Sequence, residues 1–239
     1  MLRSLPIICL LLGLCPLPHA SAHYLWVTID DQDGQSRTAR IIFEEAPSAG
    51  DGHYLDHFTG TSKTWFRSLE QIEPRLIQTS DIRRENRRWL EVKLPAGTPR
   101  SVDCYGKFGV YSYGETKVLL HYYARHLDVR THDGLHELGR AEHMDLDIVP
   151  HDSGGEVEVT VLWKGKAATE RIVYIRGPKQ FRKNVKTNEK GRVQFTPAAA
   201  GRYTFRTSVE EATPGREGDE DYALIRHNCT LIMQLPLEK

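Results

Sequence analysis

The stretch Glu156-Val157-Glu158-Val159-Thr160-Val161-Leu162-Trp163 decides the fold class. Val157, Val159 and Val161 alternate with carboxylate or hydroxyl side chains, the period-two pattern of a strand buried on one face. Working outward, Lys164-Gly165-Lys166 reads as a turn and residues 171–175 as the next strand. A second turn at 186–192 leads into Val193 and Phe195, and strands follow at 201–209 and 228–235. Toward the N-terminus the same signature recurs at 23–29, 38–43, 64–67, 89–94, 101–105 and 117–123. These runs are short, rich in β-branched and aromatic residues, and separated by Gly, Pro, Asp and Ser. Residues 54–58 suit one helical turn, 131–143 and 213–221 read as loops, and no long amphipathic helix is present. The expected fold is therefore all-β: two immunoglobulin-like sandwich units, residues 23–150 and 155–239.

Residues 1–22 have the form of a cleavable signal peptide. Arg3 is the only charge, an apolar run spans 5–14, and Ala20-Ser21-Ala22 is an A-x-A cleavage site. Pro6, Pro16 and Pro18 interrupt the run, which is shorter than the roughly 20 apolar residues of a membrane span. The expectation is a periplasmic or secreted protein with no transmembrane segment after cleavage. Across 239 residues, 32 Lys and Arg balance 32 Asp and Glu, which leaves no electrostatic footprint for nucleic acid. Cys104 and Cys229 remain beyond the signal. In an oxidising compartment they imply one disulfide, with two separate buried thiols as the other reading.

Cleavage after Ala22 would make His23 the first residue, so that its α-amine and imidazole could chelate one ion. Nitrogen ligands of this kind suit Cu, Ni, Co or Zn. A second imidazole would complete the site. His53 and His57 are four apart, a spacing that suits one face of a helical turn. His121 and His126 are five apart, so a regular strand sends them to opposite faces. His132, His136, His143 and His151 read as solvated, and Glu44 and Glu45 as a strand end. No nucleophile elbow, phosphate loop or dinucleotide fingerprint occurs, so the chain is not read as an enzyme.

Residues 157–209, with Gly177-Pro178, "TNEKGRVQF" and "AAGRYTF", resemble the carboxypeptidase-regulatory-like sandwich. More widely, "AHYLWV", "IIFEE", "YGKFGVYSYGETKVLLHYYAR", "LDIVP" and "TPGREGDEDYALIRHNCTL" resemble an exported bacterial family labelled as nickel/cobalt-uptake periplasmic proteins. The chain departs from that pattern at His121 and Asn228. The resemblance implies a transition-metal-binding protein that buffers or delivers nickel, cobalt or copper to a membrane uptake component. It places His227, within Arg226-His227, in a repeated motif, which makes His227 the expected partner of His23 in the metal site. The alternative is a non-enzymatic module that presents tyrosines such as Tyr111, Tyr113, Tyr122 and Tyr123 to a protein or glycan.

Overall fold

The computed structural model describes residues 23–29, 38–95, 97–152 and 155–237. The signal reading of residues 1–22 lies outside them. The described chain is all-β, as its alternation predicts. Its first half holds β1 (Tyr24–Thr28), β2 (Thr38–Glu44), β3 (Lys63–Ser68), β4 (Gln71–Ile77), β5 (Thr79–Arg84), β6 (Arg87–Lys93), β7 (Arg100–Tyr113) and β8 (Thr116–Asp128). Its second holds β9 (Leu146–Asp152), β10 (Val157–Trp163), β11 (Lys166–Ala167), β12 (Ile172–Gly177), β13 (Phe181–Lys186), β14 (Arg192–Phe195), β15 (Gly201–Glu211), β16 (Gly215–Glu217), β17 (Glu220–Tyr222) and β18 (Leu224–Leu235). A 3₁₀ turn at Leu55–His57 falls where one helical turn was expected.

An eight-stranded sheet, in the order β13-β12-β15-β18-β8-β7-β3-β4, forms the centre. Its midline is the parallel pair β8–β18, with Leu224 opposite Val118 and Met233 opposite Leu127. A four-stranded sheet, β1-β2-β6-β5, covers one face. Leu25, Val27, Ile41 and Phe43 pack there against Val118, Leu120, Tyr122 and Ala124 of β8. Strand β10, flanked by β9, β11 and β14, covers the other face. Val157, Val159 and Val161 pack there against Tyr203, Phe205, Leu231 and Met233. Strands β8 and β18 are thus buried on both sides. This explains why "KVLLHYYARHL" and "CTLIM" run apolar without alternation, as strands covered on two faces do.

The two sandwiches share this sheet, and β18 joins them by pairing with β15 on one side and β8 on the other. Residues 146–150, assigned by the sequence to the first unit, pair along β10 in the second. Residues 132–138, expected in a loop, form α1 (His132–Leu138). The Thr131 hydroxyl accepts from the Gly134 N–H at its start, while Leu135 and Leu138 are buried. So short a helix shows almost no periodicity in sequence. The expected loop at 213–221 folds as the β16–β17 hairpin.

Cys104 and Cys229 do not form the expected disulfide. Both are buried free thiols. Cys104 lies opposite Ala124 and belongs to the first core, whereas Cys229 lies opposite Tyr123 and belongs to the second. With β8 between their strands, their backbones are about 10 Å apart at ordinary strand spacing, beyond the roughly 7 Å that a disulfide can bridge.

A buried ionic cluster ties α1 to the sheet. The fully buried Arg125 donates to Asp103 at 3.0 Å, to Asp147 at 2.5 Å, and to the carbonyls of Leu138 and Gly139. Arg67 donates to the Leu138 carbonyl and lies 3.4 Å from Asp103. Each carboxylate faces a guanidinium, the condition under which buried charge is tolerated.

Candidate functional site

Two side-chain clusters stand out, one on each face of the central sheet. The first arises from an irregularity in β7. Lys107 pairs with His121 and Gly109 with Leu120, so Phe108 has no partner on β8. Gly109 takes φ +103 at this bulge. One extra residue reverses the facing of everything beyond it. Tyr111 and Tyr113 consequently stand opposite Val118 and Thr116, on the face that also carries Leu120 and Tyr122. A tight turn with Gly114 at φ +62 then reverses the chain into β8.

The result is a pocket of about 460 Å³ lined by His23, Phe43, Tyr54, Phe108, Tyr111, Tyr113, Leu120 and Tyr122, with Ser112 and Gly114 at its edge. Its rings form a connected chain. Centroid separations are 5.7 Å for His23–Phe43, 5.4 Å for His23–Tyr54, 6.0 Å for Tyr54–Phe108, 6.1 Å for Phe108–Tyr111 and 4.9 Å for Tyr111–Tyr113. His57 stacks on Phe108 at 3.9 Å and His53 meets Tyr54 edge-on at 4.6 Å. Beneath them Phe58 sits where Gly106 leaves room, since a Cβ there would come within 2.3 Å of its ring. No carboxylate, lysine or arginine lines the pocket. Glu44 lies just outside, 3.8 Å from His23 Nε2.

The second cluster lies on the opposite face. His121 and His227 are in register across β8–β18. Their rings are 5.0 Å apart and 26° from parallel. Tyr105 Oη lies 2.7 Å from His121 Nδ1, and Tyr123 Oη 3.4 Å from His227 Nδ1. His227 Nε2 lies 3.0 Å from Glu211 Oε1, and Lys164 donates to Glu211 Oε2 at 3.0 Å. Trp163 covers His227 at 4.3 Å. Burial lowers both imidazole pKa values, that of His121 to about 4 with the neighbouring His227 adding to the shift. The Lys164 contact holds the Glu211 carboxyl below its ordinary value.

The structure does not bring the expected ligands His23 and His227 together. His23 sits among Phe43 and Tyr54 on one face of the central sheet, and His227 against Trp163 and Tyr123 on the other. As they stand, no three His, Cys, Asp or Glu side chains among the described residues converge closely enough to hold one ion. His126 is buried and its Nδ1 accepts from the Ile29 N–H at 3.1 Å, a structural role. His143 packs on Trp65 beside Asp103. His132, His136 and His151 are exposed, as expected, and line a shallow cavity of about 620 Å³ with Asp133 and Arg140. Tyr111 and Tyr113 are exposed, but Tyr122 and Tyr123 are each only 4% accessible and present no surface to a partner.

No protein-family model matches the chain, and no curated protein matches it. Among solved structures, the crystal structure of the FN1–FN3 domains of chicken CNTN1 is similar over 85% of this chain and 66% of its own length, at 12% identity and a TM-score of 0.21. No helix among the described residues is long and apolar enough to cross a membrane.

Two features of these clusters are not among the expectations from sequence. The bulge has a signal in Gly106-Lys107-Phe108-Gly109, since glycine inside a strand pattern marks a bulge or a close approach. The His121–His227 pairing depends on the parallel contact of two strands a hundred residues apart, for which local pattern carries no signal.

Proposed function

We propose that the protein is a non-enzymatic binding module whose aromatic pocket takes an uncharged ring, such as a sugar residue of a glycan. The observation that carries this reading is the lining itself: connected aromatic rings with no carboxylate, lysine or arginine among them, the Arg226 guanidinium lying over the Tyr113 ring at 4.8 Å. Its volume falls within the range of small-ligand sites, about 300–1,000 Å³. Tyrosine suits such a site because its ring gives rigid apolar contact at low entropic cost while its hydroxyl hydrogen-bonds. A sugar ring offers the matching chemistry, an apolar C–H face edged by hydroxyls.

The test is calorimetric titration of the protein with a panel of neutral and acidic oligosaccharides. Neutral members should bind in preference to acidic ones, and Tyr111→Ala should weaken binding at least tenfold. Tyr111 is 40% accessible, so its truncation leaves the core intact. Binding unchanged in Tyr111→Ala, or absent for every neutral glycan, would contradict the reading.

A further inference from the structure

We propose that the β12–β13 hairpin, together with β15, is a docking surface for an anionic lipid bilayer. The surface shares no residue with the lining of the aromatic pocket, and it stands or falls independently of the glycan reading.

The chain is neutral overall, yet from Arg171 to Lys186 it carries six basic residues and no acidic one. Strand register brings several of them to one side. Arg182 lies opposite Arg176, Lys186 opposite Ile172, and Arg206 of β15 opposite Tyr174. This side faces away from the second core, to which the alternating residues Val173, Ile175 and Phe205 belong. The four-stranded sheet covers the same side of β18, where Trp26 packs on Ile232, but leaves Ile172, Arg182 and Lys186 exposed. Among the described residues, no carboxylate pairs with Arg176, Lys179, Arg182, Lys183 or Arg206, while Lys186 pairs with Glu170 at the margin. Burial, and then the charges of Arg206 and Arg182, lower the Arg176 pKa. The fold therefore holds like charges together without compensation.

Charge on an edge strand also discourages aggregation through the open edge, and β13 is the last strand of the central sheet. That accounts for Arg182, Lys183 and Lys186. It does not account for Arg176 and Arg206 on the interior strands β12 and β15, nor for the direct opposition of Arg176 and Arg182, since like charges in that position are destabilising. The Arg206 guanidinium lies 4.3 Å from the Tyr24 ring and 5.5 Å from the Tyr174 ring. The two rings fix its position by cation–π attraction and leave its N–H donors for an anion. A bilayer fits this face better than a soluble polyanion because Ile172, 46% exposed, stands among the cations. Basic clusters are drawn to anionic headgroups, and an apolar side chain beside them enters the boundary between headgroups and acyl chains.

The test is co-sedimentation of the protein, expressed with its native leader and purified without a tag, with vesicles of two compositions. Vesicles of phosphatidylcholine and phosphatidylglycerol should bind it, and vesicles of phosphatidylcholine alone should not. Raising salt from about 0.1 M to about 1 M should release it, as the screening length shrinks from about 10 Å to about 3 Å. Arg182→Gln and Lys183→Gln should each weaken binding about fivefold, and Ile172→Ser should weaken it as well. Arg182 and Lys183 are exposed, so their variants keep the fold, which circular dichroism checks. Lys93→Gln, an exposed change on β6, should leave binding unchanged. Arg182→Gln should also leave the titration with neutral oligosaccharides unchanged, so failure here is distinguishable from failure of the glycan reading. Equal binding to the two vesicle types, no binding to either, or equal binding by wild type, Arg182→Gln and Lys183→Gln would overturn the proposal. Binding to dextran sulfate without binding to anionic vesicles would overturn it too, in favour of a soluble acidic polymer.

Discussion

Tyr111 stands opposite Val118 because Phe108, three residues earlier, has no partner on β8. Had β7 continued in its first register, Tyr111 and Tyr113 would face away from Leu120 and Tyr122. The pocket therefore depends on a single bulge, and the bulge on the backbone freedom of Gly109.

Gly109→Ala should test that dependence. An added Cβ meets no atom within 4 Å, so the substitution acts through the backbone alone, at φ +103. The expected cost is about 1–3 kcal/mol, read as a lower urea midpoint, together with weaker ligand binding. Unchanged stability would show that the bulge is not under this constraint.

The two thiols should be inert in the native protein. Burial pushes the Cys104 thiol up to about 12 and raises that of Cys229 well above its ordinary value. A thiol-specific reagent should modify neither residue until denaturant is added, and then both, as followed by peptide mass spectrometry. A reductant should not shift the melting temperature. Detection of a Cys104–Cys229 peptide pair would contradict the fold.

Acid should destabilise the protein from about pH 6.5 downward, before its carboxylates titrate. Burial lowers His126 to about 3 and His121 to about 4, and it lowers His227 and His143 as well. For a base with a depressed folded pKa, the unfolded chain binds more protons between the two values. Stability is therefore full above the unfolded value near 6.5 and falls as pH drops toward the folded one. For a fully buried group the slope approaches about 1.4 kcal/mol per pH unit, and it is smaller for the part-exposed His121. Urea unfolding at pH 7.5 and pH 5 should show the loss. His126→Gln, whose carbonyl can accept from the Ile29 N–H, should reduce it. A flat profile would contradict the assignment of His126 as a buried neutral acceptor.

Removing Arg125 should be among the most damaging single changes. Burial raises the Asp103 pKa, but Arg125 and Arg67 outweigh that effect and hold the carboxyl below its ordinary value. Arg125→Met leaves Asp103 and Asp147 buried without their shared guanidinium, at a cost of about 3–5 kcal/mol. Denaturant titration checks the figure. A loss below about 1 kcal/mol would mean that the cluster is not what fixes α1 to the sheet.

The sequence makes the all-β class legible because its half-buried strands alternate, most clearly Val157, Val159 and Val161. The same reading is weakest at β8 and β18, where burial on both faces removes the alternation and the parallel pairing joins residues far apart in the chain. For that reason Cys104 and Cys229 could be paired on paper, although β8 separates them. His23 could likewise be paired with His227, although the whole sheet lies between their rings. The exposed strands β4 and β5 are also absent from the sequence reading, since Pro74 interrupts Gln71–Ile77, Thr79–Arg84 carries charge on both faces, and neither strand buries much. Within the pocket, Tyr111 and Tyr113 read from the sequence as exposed aromatics, but their company with His23, Tyr54 and Phe108 follows from the bulge.

The most direct measurement is a map of amide and aromatic NMR shifts as the protein is titrated with a neutral oligosaccharide. The account predicts perturbations concentrated at Tyr54, Phe108, Tyr111 and Tyr113, saturating together and lost in Tyr111→Ala. Perturbations confined to the opposite face, around Trp163 and His227, or none at all, would contradict it.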